Sequence, residues 1–122
     1  MLTQGDILFL RDAMRKFKIT SLRLTSSDSK LKHPDIWCDP DVEPPIITVT
    51  KEWMRQGAAE RRKRLTHELM HIAWRLQHND LIGYSTYPAR DIFSRLVYRD
   101  LVAGRLNSKQ YYLRKAMMGA IK

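Results

Sequence analysis

One cysteine, Cys38, is all that 122 residues carry, which excludes an internal disulfide and any zinc finger built on thiolates. Apolar residues never run together for the ~18–20 positions that a bilayer crossing takes. The opening Met1-Leu2-Thr3-Gln4-Gly5-Asp6 lacks the basic segment and long apolar stretch of a secretory signal, so the expected compartment is cytoplasmic and no membrane partner is expected. Glutamate stops at Glu68, and residues 69–122 hold none. Histidine is scarce too: only His33, His67, His71 and His78 occur, three of them within twelve residues. A metal site in this chain must therefore be made of imidazoles and carboxylates.

What is abundant is positive charge. Lysine and arginine number 22 against 13 acidic residues, a formal net charge of +9, and such an excess favours anionic partners, nucleic acid above all. The apolar fraction of 43% and charged fraction of 29% are those of an ordinary globular protein. A chain this long can bury one core, so a single domain over residues 1–122 is expected.

Periodicity predicts a helix over 3–17 with Thr3 as its cap. Ser21-Leu22-Arg23-Leu24-Thr25 alternates and reads as a short strand, residues 26–45 read as loop, and the β-branched Ile46–Thr50 reads as the clearest strand. Lys51 to about Gln77 looks helical with a break near Gly57. A further helix opens at Pro88 and stops at Gly104, and a last one is capped by Asn107 or Ser108 and ends near Ile121. No repeat or linker interrupts this order, and the fold class is α+β.

The residues that carry chemistry are His67-Glu68-Leu69-Met70-His71. Four residues apart on a helix, the two imidazoles share one face about a turn apart and can supply two corners of a zinc tetrahedron. Glu68 points to the neighbouring flank, where a carboxylate can take the proton of a zinc-activated water and pass it to a leaving group. At this chain's histidine and glutamate frequencies the pattern arises by chance roughly once in a few hundred such sequences, so two ordinary helix histidines are the less economical explanation.

This HExxH segment resembles the zincin metallopeptidases. The resemblance implies a zinc cofactor, a zincin-like α+β domain with a short sheet packed on the active-site helix and further C-terminal helices, and an edge strand that pairs with extended peptide substrate. Ile46–Thr50 is the candidate for that strand. Zincins that take their third ligand from a later glutamate are excluded, because none follows Glu68. Metzincins and SprT- and WLM-type zinc proteases use a downstream histidine, often at HExxHxxxxxH spacing. Here His78 falls seven residues after His71, one later than that pattern. On a continuous helix it would lie ~10 Å further along the axis, so it can close the site only if the helix unwinds around Arg75–Gln77. The glycine that metzincins place there is missing.

Asp91, at the start of the next helix, is the alternative third ligand, or an acceptor for the outer nitrogen of a ligating histidine; Asp80, Asp100 and solvent follow. Tyr84, with Tyr87 nearby, lies in a loop where a phenol could stabilise a developing oxyanion, though such tyrosines more often pack. His33, before a proline, reads as a surface residue, and Cys38 reads as a loop thiol that could at most block the zinc. Trp37, Trp53 and Trp74 read as core or its rim, and Met117 and Met118 as packing. Arg61-Arg62-Lys63-Arg64 reads as a solvated face which, if it binds anything, binds phosphate.

The leading expectation is a zinc-dependent metallopeptidase acting on a peptide or protein substrate, with Glu68 as general base. The alternative is a zinc-dependent hydrolase associated with nucleic acid, either a nuclease or a protease acting on DNA-bound proteins. The zinc endoribonucleases of ribosomal RNA maturation are similar in histidine spacing but lack a glutamate after the first histidine. A zinc-binding protein without turnover is the third reading.

Overall fold

The computed structural model describes residues 2–27, 35–78 and 91–121, of which 119–121 are described in backbone alone. His33, Asp80, Tyr84, Tyr87 and Pro88 lie outside the described residues.

Thr3 starts the chain's first helix, α1 (Gln4–Phe17). Its hydroxyl accepts from the Asp6 amide at 3.1 Å and its own amide donates to Asp6 Oδ2 at 3.4 Å, so two of the helix's orphan donors are satisfied reciprocally. Leu10, Ala13 and Phe17 recur at helical spacing and are the buried apolar face. Lys18 ends the helix in the left-handed region, with φ 61°.

Three short strands follow: β1 (Arg23–Ser26), β2 (Ile36–Asp39) and β3 (Ile46–Val49). β3 is central, parallel to β1 and antiparallel to β2. Its β-branched residues fit a pleated, covered surface, and Ile47, Thr48 and Val49 are buried. Two expectations change here. The stretch 26–45 contains a strand, because Ile36-Trp37-Cys38-Asp39 pairs residue for residue with Val49–Ile46; pairing across the sheet overrides a local composition that signals loop. Ile46–Thr50 is not an edge strand either, since both sides of β3 are already hydrogen-bonded.

Helices α2 (Lys51–Met54) and α3 (Ala58–Trp74) divide at Gly57, which caps α3, as the sequence predicts. α4 (Ile92–Val102) begins at Asp91, and Gly104 follows its end with φ 74°. α5 (Lys109–Ile121) is opened by Ser108, whose hydroxyl accepts from the Tyr111 amide at 3.2 Å. Among the described residues no helix is long and apolar enough to cross a membrane.

α3 runs through the centre of the core. Leu65, Leu69, Met70 and Ile72 are buried together with Trp53, Phe93, Val97, Leu101 and Tyr112, each such side chain contributing about 1.5–3 kcal/mol by leaving water. Trp53 is fully covered, and its indole N–H donates to the Arg61 carbonyl at 3.2 Å; Trp37 and Trp74 are half-buried.

The basic run at the start of α3 is not a solvated face. Arg61 and Arg62 reach the buried Asp6 carboxylate at 3.0 and 3.3 Å, tying α3 to α1, while Arg64 spans Glu60 and Asp35 at 3.2 and 3.1 Å. Sequence periodicity cannot see a buried carboxylate on another helix. Met117 and Met118 also depart from expectation, being 58% and 67% exposed rather than packed.

Candidate metal centre

The carboxy-terminal half of α3 is the most deeply covered part of the helix, with every residue from Leu65 to Met70 buried. His67 and His71 project from it one turn apart. Their Nε2 atoms face each other at 3.2 Å, and the ring centroids are 4.9 Å apart. Two ligands bound to zinc at ~2.0–2.1 Å in a tetrahedron are about 3.3 Å from each other, so the helix alone sets the required bite.

The third histidine arrives by a backbone device. α3 stops at Trp74 because Arg75 adopts the left-handed conformation, φ 56° and ψ 31°, and the chain doubles back in the place where a continuous helix would have carried His78 away. The His78 ring comes to 4.8 Å from that of His71 and 5.2 Å from that of His67. One ligand nitrogen from each of the three lies within 4.8 Å of the others, close enough for all three histidines to hold a metal ion. The unwinding around Arg75–Gln77 that the extra residue of spacing demands is present, with arginine in the conformation usually given to glycine.

The outer nitrogens are held too. Buried Leu76 anchors the turn, and its carbonyl lies 2.5 Å from His71 Nδ1. A carbonyl can only accept, so that nitrogen carries the proton and the neutral ring presents its Nε2 lone pair to the cluster. Burial, followed by the neighbouring His67, pushes the His71 pKa down to about 4 against the smaller pull of the Leu76 carbonyl. His67 Nδ1 lies 2.9 Å from Ser94 Oγ and 3.2 Å from Asp91 Oδ2. The Ser94 hydroxyl donates to Asp91 Oδ2 at 2.6 Å, so its oxygen accepts from the ring. The donor set is thus three imidazoles, two of them oriented from behind, a composition that suits zinc.

Asp91 is fully buried, and its two oxygens do different work. Oδ1 accepts from the amides of Phe93 and Ser94 at 3.0 and 3.3 Å and so caps α4, while Oδ2 faces Ser94 and His67. It lies on the His67 nitrogen that points away from His71, and it is not among the three clustered donors. Asp100 is occupied elsewhere, accepting from Tyr112, Arg99 and Arg105. Tyr84 lies outside the described residues.

Glu68 lies near β2, close enough to the Cys38 thiol for each to shift the other's pKa. Burial pushes the Glu68 pKa up to about 8, with the thiol's hydrogen bond acting the other way. Burial and then the Glu68 charge raise Cys38 far above the ordinary thiol range. Sequence reasoning misses this proximity because Cys38 stands in a stretch whose composition signals loop. It also misses Ser94, although Asp91-Ile92-Phe93-Ser94 has the spacing of a helix cap. The Leu76 carbonyl gives no side-chain signal at all.

No known protein family, curated protein or solved structure matches this chain.

Proposed function

We propose that the protein is a zinc-dependent metallopeptidase. The observation that carries this reading is the pair of His67 and His71 Nε2 atoms 3.2 Å apart, with His78 folded back beside them and buried Glu68 next to His67 in the chain. His67, His71 and His78 would hold the ion. When bound, zinc supplies Lewis acidity, which acidifies water and polarises a carbonyl.

The chain's own residues account for the rest of the chemistry. Burial raises the Glu68 pKa to about 8, so the group is largely protonated near neutral pH and acts as base only in its ionised form, accepting a proton from the attacking water on a carboxylate oxygen and returning it to the leaving amine nitrogen. Cation binding beside it would favour the ionised carboxylate. Asp91 and Ser94 fix the tautomer and orientation of His67, and the Leu76 carbonyl does the same for His71.

The substrate-pairing strand is better assigned to β2 than to β3. Among the described residues β2 is an edge strand, antiparallel to β3, and its Cys38 lies near Glu68. An extended peptide adding to its outer edge by main-chain hydrogen bonds would run past the catalytic carboxylate.

The test combines metal content with activity on a fluorogenic peptide library. Purified protein should contain one zinc per chain, and Glu68→Gln should keep that zinc while losing about 10²–10⁴-fold in rate. A variant that cleaves at the wild-type rate, or a protein without stoichiometric divalent metal, would sink the reading. The +9 charge favours, as second reading, a zinc hydrolase acting at nucleic acid; cleavage of oligonucleotides with peptides left intact would select it.

A further inference from the structure

Four of the chain's 22 lysines and arginines line one cleft. The carboxy-terminal ends of α1 and α3 and the amino-terminal end of α5 converge on a cleft of ≈ 650 Å³. Lys16, Lys18, Arg75 and Lys109 line it, and none of the described residues lining it is acidic. The neutral lining includes Asn107, Ser108 and Gln110, all able to donate to an anion's oxygens.

Two features bear on whether Lys18, Arg75 and Lys109 are placed for a ligand rather than for the fold. Lys18 and Arg75 are the only residues other than glycine with positive φ among those described, 61° and 56°. Both stand where glycine would end a helix without strain, and both carry a long cation there at a cost of about 1 kcal/mol. A cation at a helix's carboxy-terminal end is favoured by the helix dipole, which by itself would explain these two. Lys109 admits no such explanation. It opens α5, where the dipole disfavours a cation, and no acid stands in that first turn to compensate. Lys18 and Lys109 have no ion-pair partner among the described residues. Arg75 pairs with Asp41 at 2.9 Å on the surface, where screening leaves little net attraction, whereas Lys16 is held by Asp12 at 2.7 Å and the Leu101 carbonyl at 3.3 Å and contributes charge to the cleft from a fixed position.

We infer that this cleft binds the phosphodiester backbone of single-stranded nucleic acid. Cations on three separate chain segments match a ligand with repeated charges better than one small anion, and a cleft between helix ends admits a single strand where a duplex would meet only its rim. The strand would pass beside the metal centre, since Arg75 directly precedes Leu76, whose carbonyl holds His71. The inference stands independently of the peptidase reading.

The experiment is fluorescence anisotropy of a labelled oligothymidylate with Glu68→Gln protein, which separates binding from turnover, between about 50 and 200 mM salt. The charge reversal Lys18→Glu/Lys109→Glu should weaken binding at low salt at least about tenfold. It should also lower the slope of log affinity against log salt by about 1.4, or ~0.7 for each phosphate that is no longer neutralised. The control Arg23→Glu/Arg55→Glu, equal in net charge and exposed on other elements, should stay within about threefold. Circular dichroism checks folding, and Lys18→Gln/Lys109→Gln reads the same effect without introducing acids. Equal losses in both doubles, no wild-type binding, or capture by anionic phosphatidylserine vesicles in preference to the oligonucleotide would each overturn the inference. Duplex binding as tight as single-strand binding would do so as well.

Discussion

Asp91 uses one oxygen to start a helix while the other faces His67 and Ser94, and two substitutions separate these roles. Asp91→Ala removes both. Loss of the cap to Phe93 and Ser94 costs about 1 kcal/mol. The Ser94 hydroxyl is left without its buried acceptor and no longer fixed as acceptor for His67 Nδ1–H, at about 1–3 kcal/mol, so urea denaturation of metal-free protein should show a loss of about 3 kcal/mol. Asp91→Asn keeps an oxygen for the cap but puts an amide NH₂ where Oδ2 accepted from Ser94 at 2.6 Å. That group cannot accept, the hydroxyl must turn, and the arrangement behind His67 breaks. Stability should fall by only about 1 kcal/mol, whereas zinc affinity, read by competition with a chromogenic chelator, should fall about 10–100-fold. Wild-type affinity in Asp91→Asn would refute the orienting role. Zinc binding abolished in Asp91→Asn but retained in His78→Ala would make Asp91 the ligand and dismiss His78.

Arg75→Gly should leave zinc affinity intact and metal-free stability unchanged or up to about 1 kcal/mol higher, because φ 56° suits glycine and the Asp41 pair is exposed. Arg75→Val should cost about 1–2 kcal/mol and weaken zinc at least tenfold by displacing His78; equal behaviour of the two variants would show that the turn does not set the site. Burial would raise the Asp6 pKa, but hydrogen bonds from Arg61 and Thr3 outweigh it and the net shift is downward. The folded value is therefore below the unfolded one, so this stabilisation is complete above the unfolded pKa of ~3.9 and is lost as pH falls through the lower folded value. Asp6→Asn should flatten the acid limb of a stability-versus-pH curve measured by urea, and an unchanged limb would contradict the assignment. Stripping zinc with a chelator should lower unfolding free energy by about 4 kcal/mol if the ion was present at a thousandfold its Kd, seen as a fall in Tm; no fall would mean that the histidines hold no ion. Tyr112→Phe removes a hydroxyl that donates to Asp100 at 3.0 Å and accepts from the Asn107 amide at 2.9 Å, and should destabilise by about 1–2 kcal/mol in thermal melts.

The helices are readable in the sequence because their signals are local: Thr3 as cap, the Leu10, Ala13 and Phe17 spacing, the break at Gly57, the stop at Gly104. The same holds for His67 and His71, whose separation on one helix is a matter of pitch. What cannot be read is whatever depends on pairing across the fold. β2 is hidden in a stretch rich in proline and aspartate, so β3 resembles an edge when it is the centre. Arg61 and Arg62 pass for solvated because Asp6 belongs to another helix. For His78 the spacing states the condition, an unwound turn, but not the residue that meets it: arginine at positive φ carries no composition signal, whereas a glycine would have announced itself.

The nearness of Cys38 to Glu68 gives the protein a built-in probe. The lone thiol is partly covered and carries a pKa raised by burial and by the nearby carboxylate proposed to do the chemistry, so alkylating reagents should meet little thiolate while β2 and α3 stay together. Its rate of modification would therefore register how often those two elements part, reporting on the breathing of the centre without any foreign label being attached.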